Sequence, residues 1–396
     1  MISRRKAHIL GSDLSQAIKA RVNKNTDLSR WVAQWEQVFA DFIGVKHAIA
    51  VSSGRSGLGL ILRSLQLAAG DEIIIPAYTL KDLVPVIQKL QLVPVPVDID
   101  LGSFNISLAA LESKITKRTK VIMATHIFGM PCEIDKILEI AKNRSLLVIE
   151  DCAHSAGSEY QGRKTGSFGN AAFFSFESMK PVNTYGGGMV VTNDGAMADR
   201  IRAALAGYRK ENSVPLKKII MALVENTLFS TPIVYPLLYL LSSRRWNSRL
   251  ANLYRLVQKP PKPNTVYSGF QAQVGLEKIK TLPSRIGRRR KAAEYLKALL
   301  GSRILAQEVR EGASPNYYFF VALLPQDIWR VRRFLLNRGI DAGIAGEITD
   351  NCGEILGGDC PNAKEVFRRA IQLPLYESMS EQQIRRMGAL LEKALS

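Results

Sequence analysis

Short apolar runs alternate with helical patterns between residues 45 and 205. The runs are HAIAVSS, EIIIPA, LVPVPV, KVIMATH, LLVIED, AAFFSF and GMVVTN, with helical stretches such as SGLGLILRSLQLA, LKDLVPVIQKL and EIDKILEIAKN between several of them. Short runs that are apolar throughout and bounded by helices are typical of strands buried on both faces of a mainly parallel sheet. The pattern therefore predicts a large α/β domain over 45–205, and its ligand site is expected beyond the carboxyl ends of the strands.

The two ends of the chain have a different pattern. Residues 27–43 carry Trp31, Trp35, Val38, Phe39 and Phe42 at helical spacing, which predicts an amphipathic helix in an N-terminal segment over 1–44. After residue 264 the pattern predicts a long basic helix over 268–300, a strand in YYFFVALL, a helix over 326–338 and a C-terminal helix over 380–395. We expect these elements to form a smaller α+β domain over 265–396.

A basic and apolar insertion over 206–264 separates the two domains. It holds ten Lys and Arg against two Asp and Glu, and residues 226–243 carry no charge. Three interpretations remain open: a transmembrane span, a soluble lid or additional dimer contact, and an anchor that lies in the surface of an anionic membrane through 219–245.

Composition narrows the class of protein. Apolar residues make up 46% and charged residues 22% of the 396 residues, which excludes disorder, collagen and coiled coil. The four cysteines show no CxxC spacing, so we expect no structural zinc site and a reducing compartment, the cytoplasm. The net charge of +19 indicates attraction to a polyanion, and the anchor interpretation adds peripheral association with the inner face of the cytoplasmic membrane.

Three segments carry residues suited to chemistry. VSSGRSGLGL (51–60) follows a strand and opens a helix, where small residues let the backbone approach an anion, although a tight packing turn fits as well. LLVIED (146–151) ends a buried strand in two carboxylates, the last of them Asp151, which suits a metal ligand, a catalytic group or a partner for a cationic ligand, although a helix cap fits as well. FFSFESMK (173–180) places Lys180 after an aromatic strand, where burial lowers the pKa of an amine, although most lysines are solvated surface charges.

The combination is more specific than any one segment. Pyridoxal phosphate needs donors for its phosphate, a carboxylate for its ring nitrogen and an amine for its aldehyde, and these segments supply all three. His154 lies near the carboxylate, and no cluster with metal-ligand spacing accompanies it, so we expect no metal site.

The motifs resemble those of a known family. FADFIGVKHAIAVSSGRSGL, GDEIIIPAYTL, THIFGMPCEIDKI, VIEDCAHSAGSEYQGRKTGSFGNAAFFSF, GGGMVVTND and QAQVGLEKI are similar in sequence and order to the DegT/DnrJ/EryC1/StrS sugar aminotransferases. The resemblance implies an α/β fold of fold-type I with a mainly parallel sheet, the cofactor pyridoxal phosphate, and a homodimer with its active site at the subunit interface. It also implies transfer of an amino group from glutamate to a keto-sugar carried on a nucleotide, while the anchor interpretation adds a lipid carrier as an alternative.

The resemblance assigns roles position by position. Lys180 matches the catalytic lysine that forms the Schiff base, Asp151 the partner of the pyridine nitrogen, and His154 a residue beside the cofactor ring. The positions matched to the phosphate are Gly54, Arg55, Ser56 and Ser175, together with Asn264, which reaches over from the other subunit.

Some positions depart from the family pattern. Arg55 replaces a threonine and adds a cation that can pair with phosphate, and Leu80 stands where an aromatic residue usually stacks on the ring, a role that Tyr78 is a candidate to take over. Relatives with histidine in place of the lysine are dehydratases, so Lys180 favours amino transfer over that alternative. A basic, non-enzymatic nucleic-acid-binding regulator is the alternative from another class, and no motif of such a protein is present, so we expect no nucleic acid partner.

Overall fold

The computed structural model describes residues 1–4, 6–22, 29–209, 214–229, 231, 239, 265–325 and 327–395. Most of the insertion that the sequence outlines, and Asn264 with it, lies outside the described residues. No helix in these ranges combines the length and the apolarity that crossing a bilayer requires.

A seven-stranded sheet forms the centre of the large domain. In spatial order its strands are β1, β10, β9, β6, β5, β2 and β4, and only β10 runs antiparallel to its neighbours. Their bounds are His47–Val51 (β1), Glu72–Pro76 (β2), Val93–Val97 (β4), Thr119–Thr125 (β5), Leu147–Asp151 (β6), Ala171–Ser175 (β9) and Gly188–Thr192 (β10). Each lies in one of the seven apolar runs, which confirms the predicted mainly parallel sheet.

Helices cover both faces of this sheet. Their bounds are Gly54–Ser64 (α3), Val84–Gln88 (α4), Leu108–Lys114 (α5), Ile134–Asn143 (α6) and Gly195–Ala206 (α7). Ser53, Ser107 and Asp194 begin three of these helices, since each side chain accepts a backbone N–H from the first turn. The apolar residues of the helices and strands thereby form continuous cores on the two sides of the sheet.

Two helices from distant parts of the chain pack together on one face of the sheet. The amphipathic helix α2 (Ser29–Ile43) buries Trp35 and Phe39 against the aromatic residues of β9, as its spacing predicts. Helix α9 (Gly269–Leu300) begins with a capping box in which Ser268 and Gln271 satisfy each other's backbone N–H groups. The first half of α9 packs on the core under α2, while its second half joins the core of the small domain, so this helix belongs to both units.

The small domain contains a four-stranded sheet in the order β11, β13, β16 and β14. The bounds are Leu305–Ala306 (β11), Phe320–Leu323 (β13), Gly343–Ile344 (β14) and Ala370–Leu373 (β16), with helices Ile328–Leu336 (α10), Pro361–Arg369 (α12) and Glu381–Leu395 (α13). The YYFF run forms a strand only from Phe320, because Tyr317 has a left-handed backbone (φ +47) that interrupts extended structure. The α+β character of this unit agrees with the sequence pattern, while the predicted domain boundaries stay predictions.

Smaller elements complete the description. They are α1 (Gly11–Val22), α8 (Leu216–Leu228), α11 (Cys352–Ile355), and the short strands Tyr78–Thr79 (β3), Glu159–Tyr160 (β7), Arg163–Lys164 (β8), Ala313–Ser314 (β12) and Asp350–Asn351 (β15). Helices α1 and α8 pack together in a cluster that also contains Tyr185 and the first turns of α9. This cluster lies behind the segment that carries Lys180.

The contact between α2 and α9 depends on Gly275. A Cβ atom at this position would lie 2.8 Å from the buried Trp35 ring, so we expect Gly275→Ala to destabilise the fold by about 1–3 kcal/mol through overpacking. Gly287 of the same helix has open space around it, and Gly287→Ala should stabilise by roughly 0.5–1 kcal/mol because alanine favours helix. Urea unfolding followed by tryptophan fluorescence checks both, and equal shifts of the two midpoints would contradict the packing argument.

Candidate active site

The candidate residues lie at one edge of the large sheet. Ser53 and Gly54 follow β1, while Ser175, Asp151 and Thr125 end β9, β6 and β5. The pairing of the strands sets Asp151 beside Thr125. Because these strands run in the same direction, their carboxyl ends converge, and the structure brings together the residues that the sequence predicts.

Lys180 lies in the lysine loop (residues 177–187), which connects β9 to β10. The residue is partly exposed, although many protein atoms crowd its amine end, and Nζ lies 5.0 Å from the centroid of the Tyr318 ring. Burial lowers the pKa of the amine to about 8, while the charges of Asp151 and Glu177 act in the opposite direction. Lys180 is therefore an amine whose neutral form is accessible near neutral pH.

Asp151 is the carboxylate with the largest electrostatic influence on this amine. It is buried, and its Oδ1 accepts the backbone N–H of Ala153 at 3.0 Å. Burial raises the pKa of Asp151, and the Ala153 N–H and the positive charge of Lys180 oppose that change. The acid and the amine thus stabilise each other's charged forms in surroundings that disfavour both.

The His154 ring lies between aromatic side chains. It stacks on the Tyr318 ring with the centroids 4.5 Å apart, and its Nδ1 accepts the backbone N–H of Phe128 at 3.3 Å. Burial, helped by the charge of Lys180, holds the pKa of His154 well below its usual range. The imidazole is therefore neutral and offers a flat apolar face with one N–H.

The turn into α3 has the features of an anion site. A Cβ atom at Gly54 would approach the Phe174 carbonyl oxygen and the Ser175 Cβ atom to 3.3 Å, a tight contact that glycine avoids at this turn. The Ser53 hydroxyl accepts the N–H of Ser56 at 3.1 Å, and the other N–H groups of the first turn lack acceptors within the helix. Arg55 forms an ion pair with Asp82 at 2.9 Å on the surface beside this turn, and its predicted pairing with phosphate stays a prediction.

Buried hydroxyl groups at this edge are unusual. Within the described part of the chain, Tyr78 OH and Thr125 Oγ1 are buried and make no hydrogen bond. The Tyr78 ring meets the Phe128 ring edge to face at 6.0 Å, and burial, with the charge of Asp350, raises its pKa. Orphaned hydroxyls, an amine, a carboxylate and a helix N-terminus form a donor set that fits pyridoxal phosphate. The role of Tyr78 in place of Leu80 stays a prediction, and Asn264 lies outside the described residues.

Sequence reasoning missed the residues that the small domain contributes. Tyr318 contacts both His154 and Lys180, and Asn316 fixes the segment after Asp151 by donating to the carbonyls of His154 and Ala156 at 2.9 and 3.0 Å. The only signal for them is the aromatic run YYFF, which the periodicity interprets as strand.

A second buried cluster lies beneath the site. His126, Glu150 and Cys152 place one ligand atom each within 4.8 Å of one another, a spacing compatible with a metal ion. The Glu150 oxygens, however, accept the N–H groups of Gly166, Phe168 and Gly169 at 2.7–2.8 Å as well as His126 Nε2 at 3.0 Å. These bonds use the carboxylate to hold the loop before β9, so its chemistry is that of a structural group.

The coupling between Asp151 and Lys180 can be measured. Since the carboxylate raises the pKa of the amine, we expect Asp151→Asn to lower the Lys180 pKa from about 8 by about one unit. The measurement is the pH dependence of Lys180 acylation in cofactor-free protein, followed by mass spectrometry. Asp135→Asn, at a carboxylate that acts on Tyr160 rather than on Lys180, is the control. An unchanged or raised midpoint in the Asp151 variant would contradict the coupling.

Two enzymes of known name are similar to this chain in sequence. A GDP-perosamine synthase of Caulobacter vibrioides is 42% identical over 177 residues, which cover 45% of this chain and 48% of that protein, so the match spans about half of the relative. The UDP-N-acetyl-3-dehydro-alpha-D-glucosamine 3-aminotransferase of Acidithiobacillus ferrooxidans is 28% identical over 367 residues, 91% of this chain and 87% of that protein.

Solved structures agree on the fold. The putative sugar aminotransferase Spr1654 from Streptococcus pneumoniae, in its PMP form, superposes with a TM-score of 0.77 at 20% identity, over 99% of this chain and 98% of that one. Helicobacter pylori PseC, an aminotransferase of pseudoaminic acid biosynthesis, gives the same TM-score, identity and coverage. The fold-type I architecture expected from the sequence is thereby confirmed.

The family model covers residues 11–218 and 263–392 and leaves 219–262, most of the predicted insertion, unmatched, which confirms the resemblance found in the motifs. The chain belongs to the DegT/DnrJ/EryC1/StrS aminotransferase family.

Proposed function

We propose that this protein is a pyridoxal-phosphate-dependent aminotransferase that moves an amino group from glutamate to a keto-sugar. The observation that carries the proposal is the Lys180 amine, whose pKa is lowered by burial and which shares the carboxyl edge of a mainly parallel sheet with the buried carboxylate of Asp151. The family membership and the substrate in the name of the Acidithiobacillus relative, a UDP-linked dehydro-sugar, support the reaction class.

Each part of the cofactor has a matching group in the chain. The first turn of α3 and the Ser175 hydroxyl would hold the phosphate, and Asp151 would hold the protonated ring nitrogen. The neutral His154 ring lies beside the same space, and Lys180 would bond the aldehyde. When bound, pyridoxal phosphate supplies an aldehyde that condenses with amines and a ring that accepts the electron pair left by a departing proton.

Lys180 is suited to moving that proton. With a pKa of about 8, about one amine in ten is neutral at pH 7, roughly 300 times more than at the ordinary pKa of 10.5. A neutral Nζ accepts a proton from the substrate, and the resulting ammonium returns it at a neighbouring carbon. Asp151 keeps its charge close to that ammonium, and Tyr318 and His154 exclude water from one side of the amine.

Replacement of the lysine tests the proposal directly. We expect Lys180→Ala to lose about 10³-fold or more of the rate of amine formation, because no other described residue supplies an amine at this position. The mutant protein should still bind the cofactor, which equilibrium dialysis measures. Transfer of label from ¹⁵N-glutamate to a sugar product, detected by mass spectrometry, measures the reaction.

A matched control is Lys136→Ala, at an exposed lysine of α6 that pairs with Glu133. This variant should keep the rate of the original protein. Label transfer by Lys180→Ala at that same rate would refute the proposed function.

We further infer a homodimer and peripheral contact with an anionic membrane. The family resemblance supports the dimer. The outer face of α8 supports the membrane contact: Ile220, Met221, Val224 and Leu228 are each 38–48% exposed, while Ile219 and Ala222 pack inwards. Ten basic residues against two acidic ones over 206–264 provide the charge complementary to anionic lipid. A keto-sugar on a lipid carrier would then be the substrate within reach.

Flotation with anionic vesicles tests the membrane contact. We expect Ile220→Glu with Val224→Glu to reduce the bound fraction about tenfold, because both changes put charge on the apolar face. Val93→Glu with Ile355→Glu is the matched control, since these residues are 41% and 52% exposed away from α8. Equal flotation of both double variants would dismiss the contact. A dissociated dimer with unchanged flotation would assign the face to subunit association instead.

A further inference from the structure

The second half of the lysine loop contains a strained residue. Tyr185 has a left-handed backbone with φ +61, an outlier for a bulky aromatic residue, and its side chain is fully buried. Such a conformation persists only where the surroundings fix it from several directions. The contacts around Tyr185 therefore determine how the whole loop lies.

A buried ion pair holds Tyr185 in place. Its hydroxyl donates to Asp13 Oδ2, and the same oxygen lies 2.9 Å from Lys278 Nζ. Lys278 Nζ also lies 4.4 Å from the centroid of the Tyr185 ring. Neither charged side chain is more than 1% exposed, so the N-terminal segment and α9 clamp the loop between them.

The remaining bonds of Lys278 reach the rest of the loop. Nζ donates to Asn183 Oδ1 at 2.9 Å and to the His8 carbonyl at 3.0 Å, and Asn183 Nδ2 donates to that same carbonyl at 2.8 Å. Two turns further along α9, Arg285 donates to the Pro181 carbonyl at 3.0 Å. The residues directly after Lys180 are thus tied to fixed elements on the side away from Asp151.

A buried ion pair is not needed for stability at this position. Both charges lose their hydration when they are buried, so a pair of apolar side chains would stabilise the fold as well. What an apolar pair cannot supply is directed bonds to Tyr185 and Asn183. We propose that Asp13 and Lys278 are positioning residues that hold the lysine loop so that the Lys180 amine keeps its place against the Tyr318 ring, within electrostatic reach of Asp151. This inference rests on the proposed role of Lys180.

The position of the Lys180 amine affects its pKa, which can be measured. The groups that face Lys180 are Asp151 from β6, Glu177 from its own loop, His154 after β6, and the Tyr318 ring before β13. Burial is the largest of the influences on the Lys180 pKa and lowers it. If the loop loses these hydrogen bonds and moves, Nζ becomes more exposed to water. The pKa of the Lys180 amine then rises from about 8 towards 10.5.

The test replaces the charges with apolar residues of similar size. Asp13→Leu with Lys278→Met keeps the volume and leaves no unpaired charge, so the full-length protein should still fold, with some loss of stability because Tyr185 and Asn183 lose hydrogen-bond partners. We expect the midpoint of Lys180 acylation in cofactor-free protein to rise by about one pH unit or more. In the loaded enzyme the acidic limb of the kcat profile should move upward by the same amount, with KM for glutamate unchanged. The acylation midpoint needs no activity, so its result is independent of the Lys180→Ala experiment.

A pair of single variants covers the case in which the double variant fails to fold. Tyr185→Phe deletes the hydroxyl bonded to Asp13, and Tyr160→Phe deletes a hydroxyl bonded to Asp135 at 2.8 Å, away from the loop. We expect the acylation midpoint to rise in the first and to stay unchanged in the second. An unchanged midpoint in Tyr185→Phe, or in a folded double variant, would overturn the proposal and leave the pair with a structural role alone.

Discussion

The candidate site depends on placing the Lys180 amine where protein atoms crowd it while a carboxylate remains within electrostatic reach. Burial lowers the pKa of the amine to about 8 and raises that of Asp151, and the attraction between their charges limits both changes. Either group alone would be a buried charge without compensation, which proteins rarely tolerate. The aromatic residues, the lysine loop and the N-terminal segment all serve to hold this balance in place.

The sheet brings these groups together because most of its strands run in the same direction, and because its backbone packs closely against the start of α3. Asp151 and Ser175 end neighbouring strands, while the glycine run at Gly186 returns the chain along β10. A Cβ atom at Gly188 would lie 2.4 Å from the Phe174 carbonyl oxygen and 2.7 Å from the Gly54 nitrogen. The run is therefore required by the packing of β9 and β10 against the start of α3, and the same packing sets the turn that would receive the phosphate.

The sequence predicts the structural features that are encoded in a local pattern of residues. Runs apolar on both faces specify the strands of the large sheet; Asp151 is the last residue of one such run, and Lys180 lies four residues after another. Short strands such as β11 and β14 have too few residues to show a period. The positions of Tyr318, Asp13 and Lys278 depend on tertiary contacts between distant parts of the chain, and a buried lysine looks like a surface lysine in a basic helix. The site was thus predictable at its strand ends and unpredictable wherever another element supplies the wall.

The lysine loop also has an ion pair at the surface, and its interaction energy can be compared with that of the buried contacts. Lys218 of α8 lies 3.0 Å from Glu177, whose charge acts on Lys180, so the insertion has an electrostatic route to the amine. Both side chains are 38–39% exposed, and water screens such a pair to at most about 1 kcal/mol. The Asp13–Lys278 pair is buried and unscreened, and it bonds the loop directly. The interior contact therefore outweighs the surface contact in holding the lysine loop, and a change at the outer face of α8 would reach the amine chiefly through α1, which packs against α8 and carries Asp13.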